Sequence, residues 1–160
     1  YYLPTVGTTA YSMRLFLTPS PLVVSSRQVR DALLDEKSLQ DVSTMTEYAD
    51  MSVVGIGAAV EGATVLRNGI LNEGELAVLK MQGAVGDILN HFVDKDGNLI
   101  QTEIEDRVIS TDLDKLRQLK NVVGVAGGKD KVTAIKAVLN GGYLNVLITD
   151  SDTATELLLS

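Results

Sequence analysis

The chain has 160 residues and a mass of 17.1 kDa, with 45% hydrophobic and 22% charged residues, a composition that suits one folded domain with a core of its own. It has no cysteine, which excludes disulfide frameworks, thiolate zinc sites, iron–sulfur clusters and cysteine nucleophiles, and fits a reducing cytoplasm. Fourteen Lys and Arg against 21 Asp and Glu leave a net charge of -7, a poor balance for gripping nucleic acid directly, and the single histidine, His91, removes most imidazole acid–base constellations.

The opening Tyr1-Tyr2-Leu3-Pro4 lacks the charged and apolar regions of a signal peptide and reads as the inside of a strand, so the chain is expected to be part of a longer protein. No apolar run approaches the roughly 20 residues of a membrane span. Ser25 with Gln28 three residues on outlines a capping box before a helix carrying Val29, Ala32 and Leu33. A second helix is expected from Ser38, with Leu39, Val42 and Met45 on one side. Met51 to Gly57 is a short apolar run ending in glycines, the pattern of a buried parallel strand that stops at a loop. Ala58 to Leu71 has no sustained period and reads as a loop. Asn72 caps the next helix, with Glu73 and Glu75 at its positive end and Leu76 and Leu79 inward.

Ala84 to Val93 reads as extended, Asp94 to Gly97 as a turn, and Leu99 to Ile104 as the returning strand of the one clear hairpin. Thr111 and Asp114 open a short helix with Leu113 and Leu116. Asn121 to Ala126 is a second buried strand, followed by Gly127-Gly128 and a helix with Val132, Ile135 and Leu139 inward, closed by Gly141-Gly142. Tyr143 to Ile148 is the next strand. Thr149 to Asp152 start a last helix with Ala154, Leu157 and Leu158. Strands alternating with helices of about ten residues imply an α/β fold: a three-layer, Rossmann-like, mostly parallel sheet covered on both faces, with one β-hairpin.

Four places could carry chemistry. A buried strand running into Gly127-Gly128, Lys129 and Lys131 could bind an anion through backbone amides, the helix start and an ammonium, Lys131 more readily than Lys129; it could equally be a tight turn with solvated lysines. Gly55-Ile56-Gly57 ends a strand at the same edge, before a loop with Glu61, Arg67 and Asn68 that could line a pocket or lie free on the surface. Asp87, in the small apolar stretch Gly83 to Gly86, could accept bonds from sugar hydroxyls, act as a base, or cap a turn. Asp94, Asp96, Asn98 and Glu105 outline a calcium loop, but Leu99 fills its glycine position and the flanks read as strands, so no metal is expected. His91 reads as structural, and no cofactor motif is present.

The order of these segments resembles the C-terminal effector-binding domain of the SorC/DeoR-like bacterial transcriptional regulators, the sugar-sensing group that includes the central glycolytic genes regulator. The resemblance rests on Pro19 to Val24, Ala49 to Gly57, Gly83 to Asp87, Phe92 to Gly97, Val125 to Gly128 with Lys131, Ala134 and Ile135, and Asn145 to Asp150. It implies a fold like that of pentose-phosphate isomerases and glucosamine-phosphate deaminases, without their catalysis. It implies a phosphorylated sugar effector, homo-oligomers (dimer or tetramer), and operator DNA bound through a separate N-terminal helix-turn-helix that this chain does not show. By position, Lys131 corresponds to the family's phosphate-binding lysine, Asp87 to an acidic residue against sugar hydroxyls, and Arg67 to a loop arginine of some relatives. Gly127, Gly128 and Gly57 would shape the site, with Gly7 and Thr8 added from the first strand's loop.

The chain therefore reads as a single effector-binding domain, 1–160, incomplete at its N-terminus; Tyr1 to Thr18 fits poorly as continuous chain, and residues are expected to be lost near Thr8 and Phe16. An enzyme of the isomerase/deaminase type, with Asp87 as base and Lys131 holding the substrate, is the alternative. A dimerisation module without ligand is a third reading.

Overall fold

The computed structural model describes residues 16–60 and 63–159. Gly7, Thr8 and the expected first strand and helix lie outside these residues, and the expected discontinuities lie outside them or at their edge.

Among the described residues two helices come first, α1 (Arg27–Leu34) and α2 (Lys37–Glu47). The α1 cap is Ser26, whose hydroxyl accepts the Val29 N–H at 3.3 Å; the cap thus lies one residue beyond the expected Ser25, and Val29 in place of Gln28 cannot complete a box. Strand β1 (Ser52–Ala58) leads into α3 (Thr64–Arg67), a single turn inside the segment expected to be loop, and then α4 (Glu73–Met81). The short strands β2 (Gly86–Ile88) and β3 (His91–Val93) follow. After a 3-10 turn (Glu105–Arg107) come α5 (Leu113–Leu116), β4 (Val122–Val125), a second 3-10 turn (Lys129–Lys131), α6 (Val132–Asn140), β5 (Val146–Ile148) and α7 (Ser151–Leu159).

The strands form one sheet in the order β3-β2-β1-β4-β5. β1 pairs in parallel with β4, as does β4 with β5, while β2 runs antiparallel to both β1 and β3. Four of the five strands thus point the same way, and the fold is the expected mostly parallel α/β sheet. The stretch expected as one extended run, Ala84 to Val93, instead folds back on itself: Leu89 and Asn90 turn between β2 and β3 with φ of 56° and 66°. Such two-residue turns need positive φ at both central positions, which Asn tolerates and Leu does not, so the local sequence gives little sign of it. The expected returning strand from Leu99 shrinks to one bridge, Val93 with Leu99, and the Ile100 N–H donating to the Phe92 carbonyl at 2.8 Å. Asp94 holds the turn between them, its carboxylate accepting the N–H groups of Asp96 and Asn98, each at 2.9 Å.

Alternation along β1 separates two faces. Val54, Ile56 and Ala58 are buried with Val122, Ile88 and the helical residues Leu113, Leu116, Ala134, Ile135, Ala137 and Val138 in the main core. Gly86 lies on this face, where a Cβ would sit 2.4 Å from that of Ala134, so the absent side chain lets α6 settle against β2. On the opposite face Phe92 packs with Leu71, Leu76 and Leu79 under α3 and α4. Helices therefore flank both faces, but coverage of the second face stops at its hairpin end. At its parallel end Val125 pairs with Ile148 (55% exposed), and Val53 (65%) and Val146 flank the buried Val123; these four remain open. Leu139, expected inward, points outward, and Val138 takes the interior instead; on the last helix Leu158 is exposed and Thr153 is buried.

Candidate functional site

The strand order makes β1 the point where the chain departs in two directions, through α3 and α4 to β2 on one side and later to β4 on the other. Crevices at the carboxyl ends of strands beside such a switch are the usual ligand sites of open α/β sheets. A cavity of about 540 Å³ opens here, within the range of small-molecule sites. Gly55, Gly57 and the backbone of Ile56 line it from the strand, Thr64, Arg67 and Asn68 from α3 and its end, Asp87 and Asn90 from the hairpin, and Lys131 from the turn after β4. A Cβ on Gly55 would meet nothing within 4 Å, so bare backbone faces this space.

Asp87 is paired with Gly57 across β1 and β2 and is 8% exposed. Its carboxylate lies over the glycine: a Cβ there would fall 2.0 Å from Oδ1. Burial pushes the Asp87 carboxyl above its ordinary range, and the Asn90 backbone N–H, the Lys131 ammonium and His91 pull it down without cancelling that effect. Lys131 is half-buried, and its ammonium donates to the Ile56 carbonyl at 2.9 Å, which stretches the side chain from the β4 turn across to β1. Arg67 is exposed on the facing wall, with Nη2 3.3 Å from the Thr64 hydroxyl. One buried carboxylate and two cations from opposite walls thus converge over the part of β1 where Gly55 and Gly57 leave the backbone bare.

Of the residues expected from sequence, the structure gathers Lys131, Asp87, Arg67 and Gly57 around one cavity. Gly127 and Gly128 lie near its rim but do not line it. The Gly128 N–H donates to Thr153 Oγ1 at 2.8 Å and to Asp150 Oδ2 at 3.1 Å, so this amide is already bonded within the chain. Glu61, Gly7 and Thr8 fall outside the described residues. Thr64 and Asn90 line the cavity without having been singled out; Asn90 is brought there by the unrecognised hairpin turn. His91 is buried on the other face of the sheet, Nδ1 2.8 Å from Glu105 Oε1 and Nε2 donating to the Thr111 carbonyl at 3.0 Å, which pins the loop after β3. Among the described residues no group of three or more His, Asp or Glu is placed to hold a metal ion.

An α/β sheet with a cavity at its switch point, where Lys131, Arg67 and buried Asp87 stand among apolar side chains such as Leu22, Val60 and Ile70, defines a candidate small-molecule-binding domain. Residues 8–159 match the Sugar-bind family, described as "Putative sugar-binding domain", and the chain belongs to that family. It is 41% identical over 160 residues to the transcriptional regulator LsrR of Klebsiella pneumoniae, covering 98% of this chain and 50% of that protein. Against LsrR of Escherichia coli K12 the identity is 37% over 162 residues, covering 99% and 51%. Among solved structures it is similar to a DeoR family transcriptional regulator from Listeria monocytogenes (28% identity, TM-score 0.83, 88% of this chain and 57% of that one). It is also similar to the full-length sorbitol operon regulator SorC from Klebsiella pneumoniae (29%, TM-score 0.78, 86% and 44%). The chain spans about half the length of the curated relatives it matches. These relatives are regulators, and the isomerase/deaminase alternative finds no support among them.

Proposed function

We propose that this chain is the effector-binding part of a cytoplasmic transcriptional regulator of carbohydrate metabolism and that it takes a phosphorylated sugar without turning it over. The observation that carries the reading is the convergence of Lys131, Arg67 and buried Asp87 over the glycine floor of β1. The two cations receive the phosphate, and Asp87 accepts hydrogen bonds from sugar hydroxyls. A carboxylate kept from water gains from such donors more than a solvated one does, because they replace solvation it has already lost. In the whole protein, effector binding shifts a homo-oligomeric arrangement and thereby the grip on operator DNA, which a separate helix-turn-helix provides. The acidic balance of this chain supports that division of labour.

A thermal-shift screen of phosphorylated sugars against their unphosphorylated parents tests the reading. At 100-fold excess over Kd a ligand stabilises by about 2.7 kcal/mol, which for a domain of this size raises Tm by roughly 5–10 °C. The shift is expected only with phosphorylated compounds, is expected to vanish in Lys131→Ala, and is expected to occur without consumption of ligand. No shift with any sugar phosphate would leave the dimerisation reading; product formation would restore the enzyme.

A further inference from the structure

The glycine pair after β4 looks like an anion cradle, and it already holds an anion from the same chain. Asp150, at the end of β5, turns its carboxylate into the Gly127-Gly128 bend. A Cβ on Gly127 would stand 2.2 Å from Asp150 Oδ2, so the first glycine is required by this contact. The second glycine has φ of 110° and donates its N–H to both Asp150 Oδ2 and Thr153 Oγ1. Thr153 is fully buried, its hydroxyl donates to Asp150 Oδ2 at 2.8 Å, and its N–H donates to Asp150 Oδ1 at 2.8 Å. The clamp therefore closes on itself.

Its consequence lies three residues further on. The Gly128 carbonyl accepts the Lys131 N–H at 3.0 Å and so closes the 3-10 turn from which the Lys131 side chain reaches the Ile56 carbonyl. We propose that Asp150 and Thr153 are positioning residues for Lys131: through the Gly128 amide they set the turn that holds the ammonium beside Asp87 over the cavity. The same contact occupies the Gly128 amide from within the chain. The functional weight of this rests on the proposed sugar-phosphate reading, but the clamp itself is testable without ligand.

The Asp87 carboxyl reports where Lys131 sits, because that ammonium lowers its titration midpoint and His91 is the other charge acting on it. Carbon-13 NMR titration of Asp87 in the folded, ligand-free chain separates the possibilities by sign. Removing a negative charge by Asp150→Asn lowers the Asp87 midpoint if Asp150 acts only through space. Releasing Lys131 raises it. The expected result is a rise in Asp150→Asn, comparable to that in Lys131→Ala, and no further rise in the double variant. Thr153→Val removes the hydroxyl while keeping shape and charge; it is expected to raise the midpoint too, and it serves if Asp150→Asn does not fold. An unchanged or lowered midpoint in the folded variants, or rises that add to that of Lys131→Ala, would overturn the proposal. The thermal-shift screen is separate, so a clamp that fails leaves the ligand reading standing, and the reverse.

Discussion

Asp87 shows how a binding residue can weaken the fold that carries it. Its folded midpoint stands above the ordinary value of 3.8 because burial outweighs the Asn90 N–H, Lys131 and His91. Below that ordinary value the carboxyl is protonated whether the chain is folded or not, and it contributes no pH dependence. As pH rises through it, the unfolded chain releases its proton first while the folded chain holds on, so stability falls across the interval up to the folded midpoint and then stays lowered. Asp87→Asn removes this loss. In urea unfolding at pH 4 and pH 7.5, the variant is expected to gain on the natural chain at the higher pH, while losing its thermal response to sugar phosphate. A variant that loses ground between pH 4 and pH 7.5 would contradict the assignment. Gly57 belongs to the same arrangement, since any side chain there meets the Asp87 carboxylate.

At the scale of elements, the start of α4 was fully legible, because a cap acts through neighbours in sequence. Asn72 accepts the Glu75 N–H at 2.9 Å and Glu75 reaches back to the Asn72 N–H at 2.9 Å, a complete capping box on α4. Burial works to raise the Glu75 carboxyl, but the Asn72 N–H and Arg107, which bonds its other oxygen, outweigh it and leave it lowered. This contribution to stability is present above the ordinary glutamate range and is lost as pH falls through the folded midpoint. Asn72→Ala is expected to cost about 1 kcal/mol in denaturant unfolding, with most of it returned by Asn72→Ser; an Ala variant as stable as the natural chain would show the box to be idle. The Leu89-Asn90 turn and the Asp150 clamp were not legible, for different reasons. Leu89 carries a left-handed backbone that its side chain disfavours, a choice only the tertiary contacts of the hairpin can impose. Asp150 was legible as a helix start, but its second role needs Gly128, 22 residues away, to be brought beside it by the pairing of β4 with β5.

For the molecule as a whole, the decisive fact is that two of the cavity's walls come from chain segments far apart in sequence. Thr64, Arg67 and Asn68 come from the excursion between β1 and β2, and Lys131 from the turn after β4, more than sixty residues later. The Lys131–Ile56 bond joins the second wall to the strand that begins the first. A phosphate gripped by Arg67 on one side and Lys131 on the other would restrain both walls at once, which a ligand seated on either alone would not. Hydrogen exchange read by mass spectrometry distinguishes these cases, because amides in short, solvent-facing turns open locally rather than with the whole fold. With a sugar phosphate that raises Tm, exchange is expected to slow in both the Thr64–Asn68 segment and the Lys129–Lys131 turn. The α1 helix, which has no buried residue and lies outside the cavity, is expected to be unchanged. Protection confined to one wall would remove either Arg67 or Lys131 from the phosphate, and protection spread evenly over α1 as well would mean that binding tightens the fold at large rather than closing this cavity.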